Sequence, residues 1–287
     1  MSGPGRGAPD AVRLARPLAA GRGRLVYERL GSGPDVIFLH GLLGCAAQWH
    51  AAAAGLAGRH TCWLLELPGI SASTGGGRAN YALAGLSAWL EQAVEALALE
   101  GFDLVGSSWG GAIALAFAAG ATGRGALRRL ALVAPAHPLW TPNRGQRLML
   151  RPLAARAGAW LGAHASPDIH RQLLARCYGD PARLAAAAVA DYTAVLHQRG
   201  LGAAVGGYGR HWRRDHAWLR AQLAAITAPT LLLWGERDAV VPAASAPALR
   251  DALPGARLEV LAGLGHLPFA EDPAAFDRAL GPFLAGQ

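Results

Sequence analysis

The sequence predicts an α/β protein: a doubly wound, mostly parallel sheet with a helical segment inserted before its last two strands. Three observations carry this. Short continuous apolar runs, each closed by Gly or Pro, alternate with longer helical stretches, as expected of strands covered on both faces. The alternation lapses over residues 137–226 and then resumes. The chain has 287 residues, 52% hydrophobic and only 16% charged, which suits one large core and excludes long disorder.

Residues 1–24 carry five Arg, one Asp and many Gly and Pro, and read as a flexible tail without a secretory apolar core. Residues 25–30 read as a strand closed by the Gly-Ser-Gly-Pro turn at 31–34. Residues 36–39 (Val-Ile-Phe-Leu) are a buried strand running into His40-Gly41. A helix follows over 46–56, then a buried strand over 61–67 stopped by Pro68-Gly69. Residues 81–99 are a long amphipathic helix with Glu91, Glu95 and Glu100 towards solvent. The spacing then predicts a strand over 102–105, a helix over 112–119 and a strand over 130–133. The inserted segment shows helical stretches at 148–161, 169–177, 182–197 and 218–226. After Pro229 come a strand (230–234), a helix (243–253), a strand (258–261) and a last helix (273–284).

All 27 basic residues are Arg, an excess read as codon bias. Their distribution is uneven: the tail holds five Arg against one acid, the insertion 12 against four, and the remainder ten against 14. The positive excess therefore lies outside the sheet domain. Residues 104–123 are uncharged and long enough to span a bilayer, but their five Gly and three hydroxyl residues argue against a span, and the protein is expected to be cytoplasmic. Three cysteines (Cys45, Cys62, Cys177) are too few for a disulfide scaffold and lack metal spacing. No metal or organic cofactor is implied, and no nucleic-acid module accompanies the charge.

Gly106-Ser107-Ser108-Trp109-Gly110 matches the five-residue nucleophile elbow. It joins a buried strand to a helix, and so lifts Ser108 to the C-terminal edge of the sheet at a helix N-terminus, where dipole and free N–H groups favour an anion. Ser107 is the nearest rival. A serine hydroxyl needs a base. Of ten histidines, His266 alone follows the last predicted strand in a Gly-rich loop at the same sheet edge, the place where ligands gather in such sheets. Asp238, after the preceding strand, is the orienting acid, with Glu236 its rival. Oxyanion donors would be the backbone N–H of Trp109, after the nucleophile, and of Leu42, in the loop after residues 36–39.

In the order His40-Gly41, Leu67-Pro68-Gly69, 106–110, 234–242 and Gly265-His266, the sequence resembles the α/β-hydrolase superfamily, in its cap-bearing esterase, haloperoxidase-like and C–C hydrolase branch. The resemblance covers residues 25–284. It implies a core made of residues 25–136 and 227–287, with residues 137–226 as a cap. It further implies a Ser-His-Asp hydrolase acting on a small, moderately apolar acyl substrate. Cleavage of a ring-fission diketone by the same triad, and a catalytically idle binding protein, are the alternatives. Leu148, Met149, Trp160, Leu196, Trp212 and Trp218 are candidates to line the pocket or pack the cap. The cluster from Arg210 to His216 reads as a solvated helix face or, alternatively, as a charge that attracts an anionic substrate or an acidic lipid surface.

Overall fold

The computed structural model describes residues 11–18, 23–70, 72–73, 81–120 and 125–287. Eight strands form one sheet: β1 (Val12–Pro17), β2 (Arg24–Gly31), β3 (Asp35–Leu39), β4 (Thr61–Leu65), β5 (Phe102–Ser107), β6 (Leu127–Val133), β7 (Thr230–Gly235) and β8 (Arg257–Leu261). Their order across the sheet is β1-β2-β4-β3-β5-β6-β7-β8. β1 and β2 pair antiparallel, as do β2 and β4; every other pair is parallel. β4 and β7 are buried at every position, which is why their sequences are continuous apolar runs rather than alternating ones.

The chain winds outward from β3 through α1 (His50–Leu56) to β4. It then crosses back through α2 (Leu83–Ala96) to β5 on the other side of β3. Right-handed crossovers in opposite directions put α1 and α2 on opposite faces. α1 packs with the C-terminal helix α11 (Pro273–Leu284), and α2 with α3 (Trp109–Ala119). On the α1 face Trp49 stacks on Phe269 at 3.8 Å, with Phe38 and Phe276 around them. Burying side chains of this kind stabilises by roughly 1.5–3 kcal/mol each.

Two sequence expectations need correction. Residues 12–17, assigned to the flexible tail, form β1, in register from Val12 opposite Arg29 to Pro17 opposite Arg24. Every residue of β1 is exposed, so it has no apolar face to betray it; Arg and Pro on an outermost strand discourage further pairing. Of the rest of the expected tail, Leu18 is buried and Arg24 begins β2, while residues 1–10 and 19–22 lie outside the described residues. The second correction concerns the helices between β6 and β7. The single helix expected over 148–161 is two, α4 (Arg144–Met149) and α5 (Pro152–Ala163), divided where Pro152 cannot continue α4. α6 (Pro167–Ala175) and α7 (Ala186–Leu196) follow.

The helix expected from residue 218 begins at Leu201: α8 spans Leu201–Gln222. Its four glycines in residues 202–209 suggest a break in sequence, yet they serve packing. A Cβ at Gly209 would lie 1.7 Å from the Leu150 carbonyl oxygen, so only glycine lets α8 press on the turn between α4 and α5. Asp215 of α8 accepts a hydrogen bond from Leu83 N at 2.7 Å, the first residue of α2, fixing this segment to the sheet domain. After β7 come α9 (Ala246–Ala252) and, past β8, the short α10 (Pro268–Glu271). Among the described residues no helix is long and apolar enough to cross a membrane.

Candidate active site

The reversal of winding at β3 opens a crevice between the C-terminal ends of β3 and β5, the usual ligand position in such sheets. Leu39 and Gly106 are register partners there. The loop leaving β3 carries His40-Gly41-Leu42, and β5 ends at Ser107 with Ser108 in the turn that follows. Ser108 has φ 51° and ψ −115°, an unfavourable conformation for a non-glycine residue, of the kind held in place only by its surroundings. Its N–H donates to Val133 O at 2.9 Å, and its carbonyl accepts from Ala136 N at 2.8 Å, so the loop after β6 braces the turn. A Cβ on Gly106 would come within 2.6 Å of Gly110 O, and one on Gly110 within 2.5 Å of Leu39 O and His40 O. The small residues flanking Ser108 are thus required by backbone meeting backbone.

His40 is fully buried; its Nδ1 donates to Gly41 O at 2.8 Å and its Nε2 accepts from Leu67 N at 3.0 Å. Burial lowers its pKa, so it stays neutral and ties the loop after β3 to the Leu67-Pro68-Gly69 turn. Ser107, the rival nucleophile, is buried at the end of β5, with no partner for its Oγ among the described residues, and does not line the cavity described below.

His266 and Asp238 meet at the ends of β8 and β7. His266 Nδ1 lies 2.7 Å from Asp238 Oδ2. The other carboxylate oxygen accepts from Val240 N at 2.7 Å and Val241 N at 2.9 Å. An Asp that folds its own following turn in this way has its orientation set by local backbone. An ionised carboxylate only accepts, so Nδ1 carries the proton and Nε2 offers its lone pair. Glu236 turns away and accepts from Gly263 N at 2.9 Å; the structure brings Asp238 and not Glu236 to His266. His266 N donates to Cys177 O at 2.7 Å, a contact from the inserted segment.

Ser108 and His266 open on one cavity of about 450 Å³. Its walls are almost wholly apolar: Leu42, Leu43, Trp109, Ala136, Leu150, Val205, Val240 and Val241 among them. Trp109 packs on Tyr208 at 4.8 Å. Gly44 N bonds Gly41 O at 3.1 Å, closing a turn that holds Leu42 on the cavity wall. Trp109 is the first residue of α3, and the first N–H groups of a helix have no intrahelical partner. Of the apolar candidates from the insertion, Met149 and Trp212 line the cavity and Leu196 is buried, whereas Leu148, Trp160 and Trp218 are exposed.

Sequence reasoning missed several neighbours of the site. Cys177 lines the cavity, its thiol pushed up to about 12 by burial, hence protonated. Glu271 accepts from Gly179 N, Asp180 N and Gly265 N at 2.8–3.0 Å, clamping the insertion to the His266 loop. His137 and His216 are buried together, and desolvation pushes them down to about 3 and about 4. No sequence spacing marks these groups, because each is brought in by tertiary contact. Among the described residues no group of three or more His, Cys, Asp or Glu is arranged to hold a metal ion.

Comparison with known proteins agrees with this architecture. The family model for the alpha/beta hydrolase fold matches residues 34–273. A pimeloyl-[acyl-carrier protein] methyl ester esterase of Aeromonas hydrophila is 30% identical over 258 residues, covering 90% of this chain and 98% of its own. An esterase from Thermogutta terrifontis is 25% identical, with a TM-score of 0.76 over 96% of this chain and 99% of that one. A meta-cleavage product hydrolase from Pseudomonas fluorescens shares the fold at 22% identity, with a TM-score of 0.78 over 96% and 97% of the two chains. The chain belongs to the α/β-hydrolase family.

Proposed function

We propose that the protein is a serine hydrolase of carboxylic esters, with Ser108 as nucleophile, His266 as base and Asp238 as the acid that orients it. The N–H groups of Leu42 and Trp109 bind the oxyanion. Residues 137–226 form the cap over this site, and residues 25–136 and 227–287 the catalytic core. One observation carries the reading: the Asp238–His266 contact of 2.7 Å lies at the wall of the same apolar cavity that receives Ser108. The A. hydrophila relative, named for ester cleavage, supports an ester over a diketone as substrate.

Asp238 fixes the Nδ1–H tautomer, so Nε2 takes the Ser108 proton as Oγ attacks the acyl carbon. The carbonyl oxygen becomes an oxyanion held by the two N–H groups, each such donor being worth roughly 10²–10³ in rate. The imidazolium, stabilised by Asp238, gives its proton to the departing alcohol and leaves an acyl-serine. Water then enters, loses a proton to His266 and attacks the acyl carbon; the proton returns to Ser108 and the carboxylic acid departs. The low polarity of the cavity strengthens each of these charge interactions.

Labelling with a fluorophosphonate tests the reading. The native protein and Ser107→Ala take the label, Ser108→Ala does not, and turnover of an aryl ester by Ser108→Ala falls on the order of 10⁶-fold. A label found on Ser107, or a vinylogous diketone cleaved in preference to aryl esters, would overturn it.

A further inference from the structure

A second cleft of about 580 Å³ adjoins the catalytic cavity and shares Trp140, Pro142, Leu150 and Trp212 with it. Its lining is more polar than its neighbour's. Arg147 and Arg151 line it from α4 and the turn after it, Arg213 and Arg220 from α8, and no acidic residue lines it. Among the described residues, none of these four guanidiniums has an ion pair or side-chain hydrogen bond. Arg214 shows what is missing: one residue from Arg213, it reaches Asp215 at 3.3 Å and is neutralised. Of the cluster singled out in the sequence, Arg213 thus faces the cleft as a free charge, while Arg214 is engaged elsewhere.

All four residues are exposed to solvent, and four like charges around one concavity repel each other, a repulsion screened by salt. An anion placed among them relieves it. The guanidinium fork matches a carboxylate or a phosphate and binds either in bidentate fashion. Trp140 and Trp212 meet edge to face at 5.7 Å on the boundary between cleft and cavity. A ligand spanning both would pass these rings, with an apolar length on the Ser108 side and a charge on the other.

We propose that the cleft is the distal part of the substrate site and takes the anionic terminus, carboxylate or phosphate, of an ester whose apolar middle occupies the cavity beside Ser108. The inference rests on the assignment of Ser108 as nucleophile. It narrows the substrate class to elongated esters with one charged end. Ser108 lines only the cavity and the four arginines only the cleft, so the preference for charge grows with chain length.

The test compares methyl esters of linear acids of increasing length in three forms: ending in carboxylate, in phosphate or in a methyl group. Beyond a threshold length, kcat/KM for one or both anionic series exceeds that of the neutral series by tenfold or more, mainly through KM. Which anionic series gains more distinguishes the two termini. In Arg147→Gln/Arg213→Gln the ratio of charged to neutral kcat/KM collapses towards one. The exposed Arg171→Gln, which lines neither cavity, keeps the native ratio. A ratio near one at every length in the native protein, or an unchanged ratio in the double variant, overturns the proposal. Binding of a linear dicarboxylate to Ser108→Ala, followed by calorimetry, separates this failure from that of the catalytic assignment. If no ester is cleaved yet the dicarboxylate binds, and binds at least tenfold more weakly to the same protein carrying both arginine changes, the anion site stands. If the dicarboxylate does not bind, it falls.

Discussion

Asp238→Asn is the most discriminating single change in this site. Oδ1 accepts two backbone N–H bonds, from Val240 and Val241, while Oδ2 faces His266 Nδ1 at 2.7 Å. Asparagine is nearly isosteric, but its two ends differ. Its oxygen must keep the position between the two N–H donors, because an NH₂ group there would set donor against donor. The NH₂ is therefore driven towards His266, where it donates to Nδ1. The imidazole must then carry its proton on Nε2, which can no longer accept from Ser108. Loss of the working tautomer with geometry kept costs about 10⁴ in kcat, or roughly 5.5 kcal/mol of transition-state stabilisation. Stability should change little, since the turn's two hydrogen bonds survive. The assay is kcat on an aryl ester, with thermal unfolding as the control. Turnover within tenfold of native in a fully folded variant would refute the tautomer argument and the role of Asp238.

The remaining predictions concern stability. His137 and His216 are held by burial at about 3 and about 4, below the ordinary imidazole value of 6.5. The unfolded chain therefore binds more protons below pH 6.5, and this contribution is present above that value and lost as pH falls towards 4 and then 3. The His216 share alone is about 2–3 kcal/mol at pH 4.5; urea midpoints at pH 7 and 4.5 should show it, with a smaller drop in His216→Gln, and equal drops in both proteins would count against it. Glu271→Gln sets an NH₂ among the three backbone donors its carboxylate now satisfies. It should cost about 2–3 kcal/mol, and unfolding with native stability would show that the clamp is slack.

The parts of this fold that were legible in the sequence share a physical cause. Strands β3, β4 and β7 are covered on both faces, so burial writes itself into nearly unbroken apolar runs; β5, equally buried, is interrupted by Asp103. β1 is held by backbone bonding to β2 and by the polar contacts of Arg13 to Glu66 and Arg16 to Ala96 O, with no buried face, and leaves no such mark. Gly106 and Gly110 are legible because the turn around Ser108 admits no Cβ. The glycines of α8 mislead for a related reason: they permit close helix contact, which looks like a break until the partner at Leu150 is known. Ser108, Asp238 and His266 each follow a strand at the same sheet edge, so chain order alone suggests that they converge. Glu236 and Asp238 are separated only by the turn that Asp238 builds from its own side chain. The cleft arginines carry no such local signal, since Arg213 and Arg214 differ only in which direction the helix points them.

The inserted segment is better regarded as half of the site than as a cover laid on it. Cys177 O holds the backbone of His266, and Glu271 joins Gly179 and Asp180 to Gly265. At the opposite end Asp215 caps α2 through Leu83 N. Between these anchors Gln146 of α4 donates to Val240 O at 2.8 Å, touching the turn that sets Asp238. Displacing the segment as a rigid body would break hydrogen bonds to the loops that carry His266 and Asp238. On the proposed reading, selectivity resides in side chains of α4 and α8 that line the cavity and the cleft, which can change without moving His266. Met149 and Val205 on the apolar side, and Arg147 and Arg213 on the charged side, are such positions. On that reading the catalytic chemistry is fixed by the sheet edge, and the length and charge of the substrate are set by cavity-lining side chains of α4 and α8, two helices anchored to the core through other residues, Gln146 and Asp215.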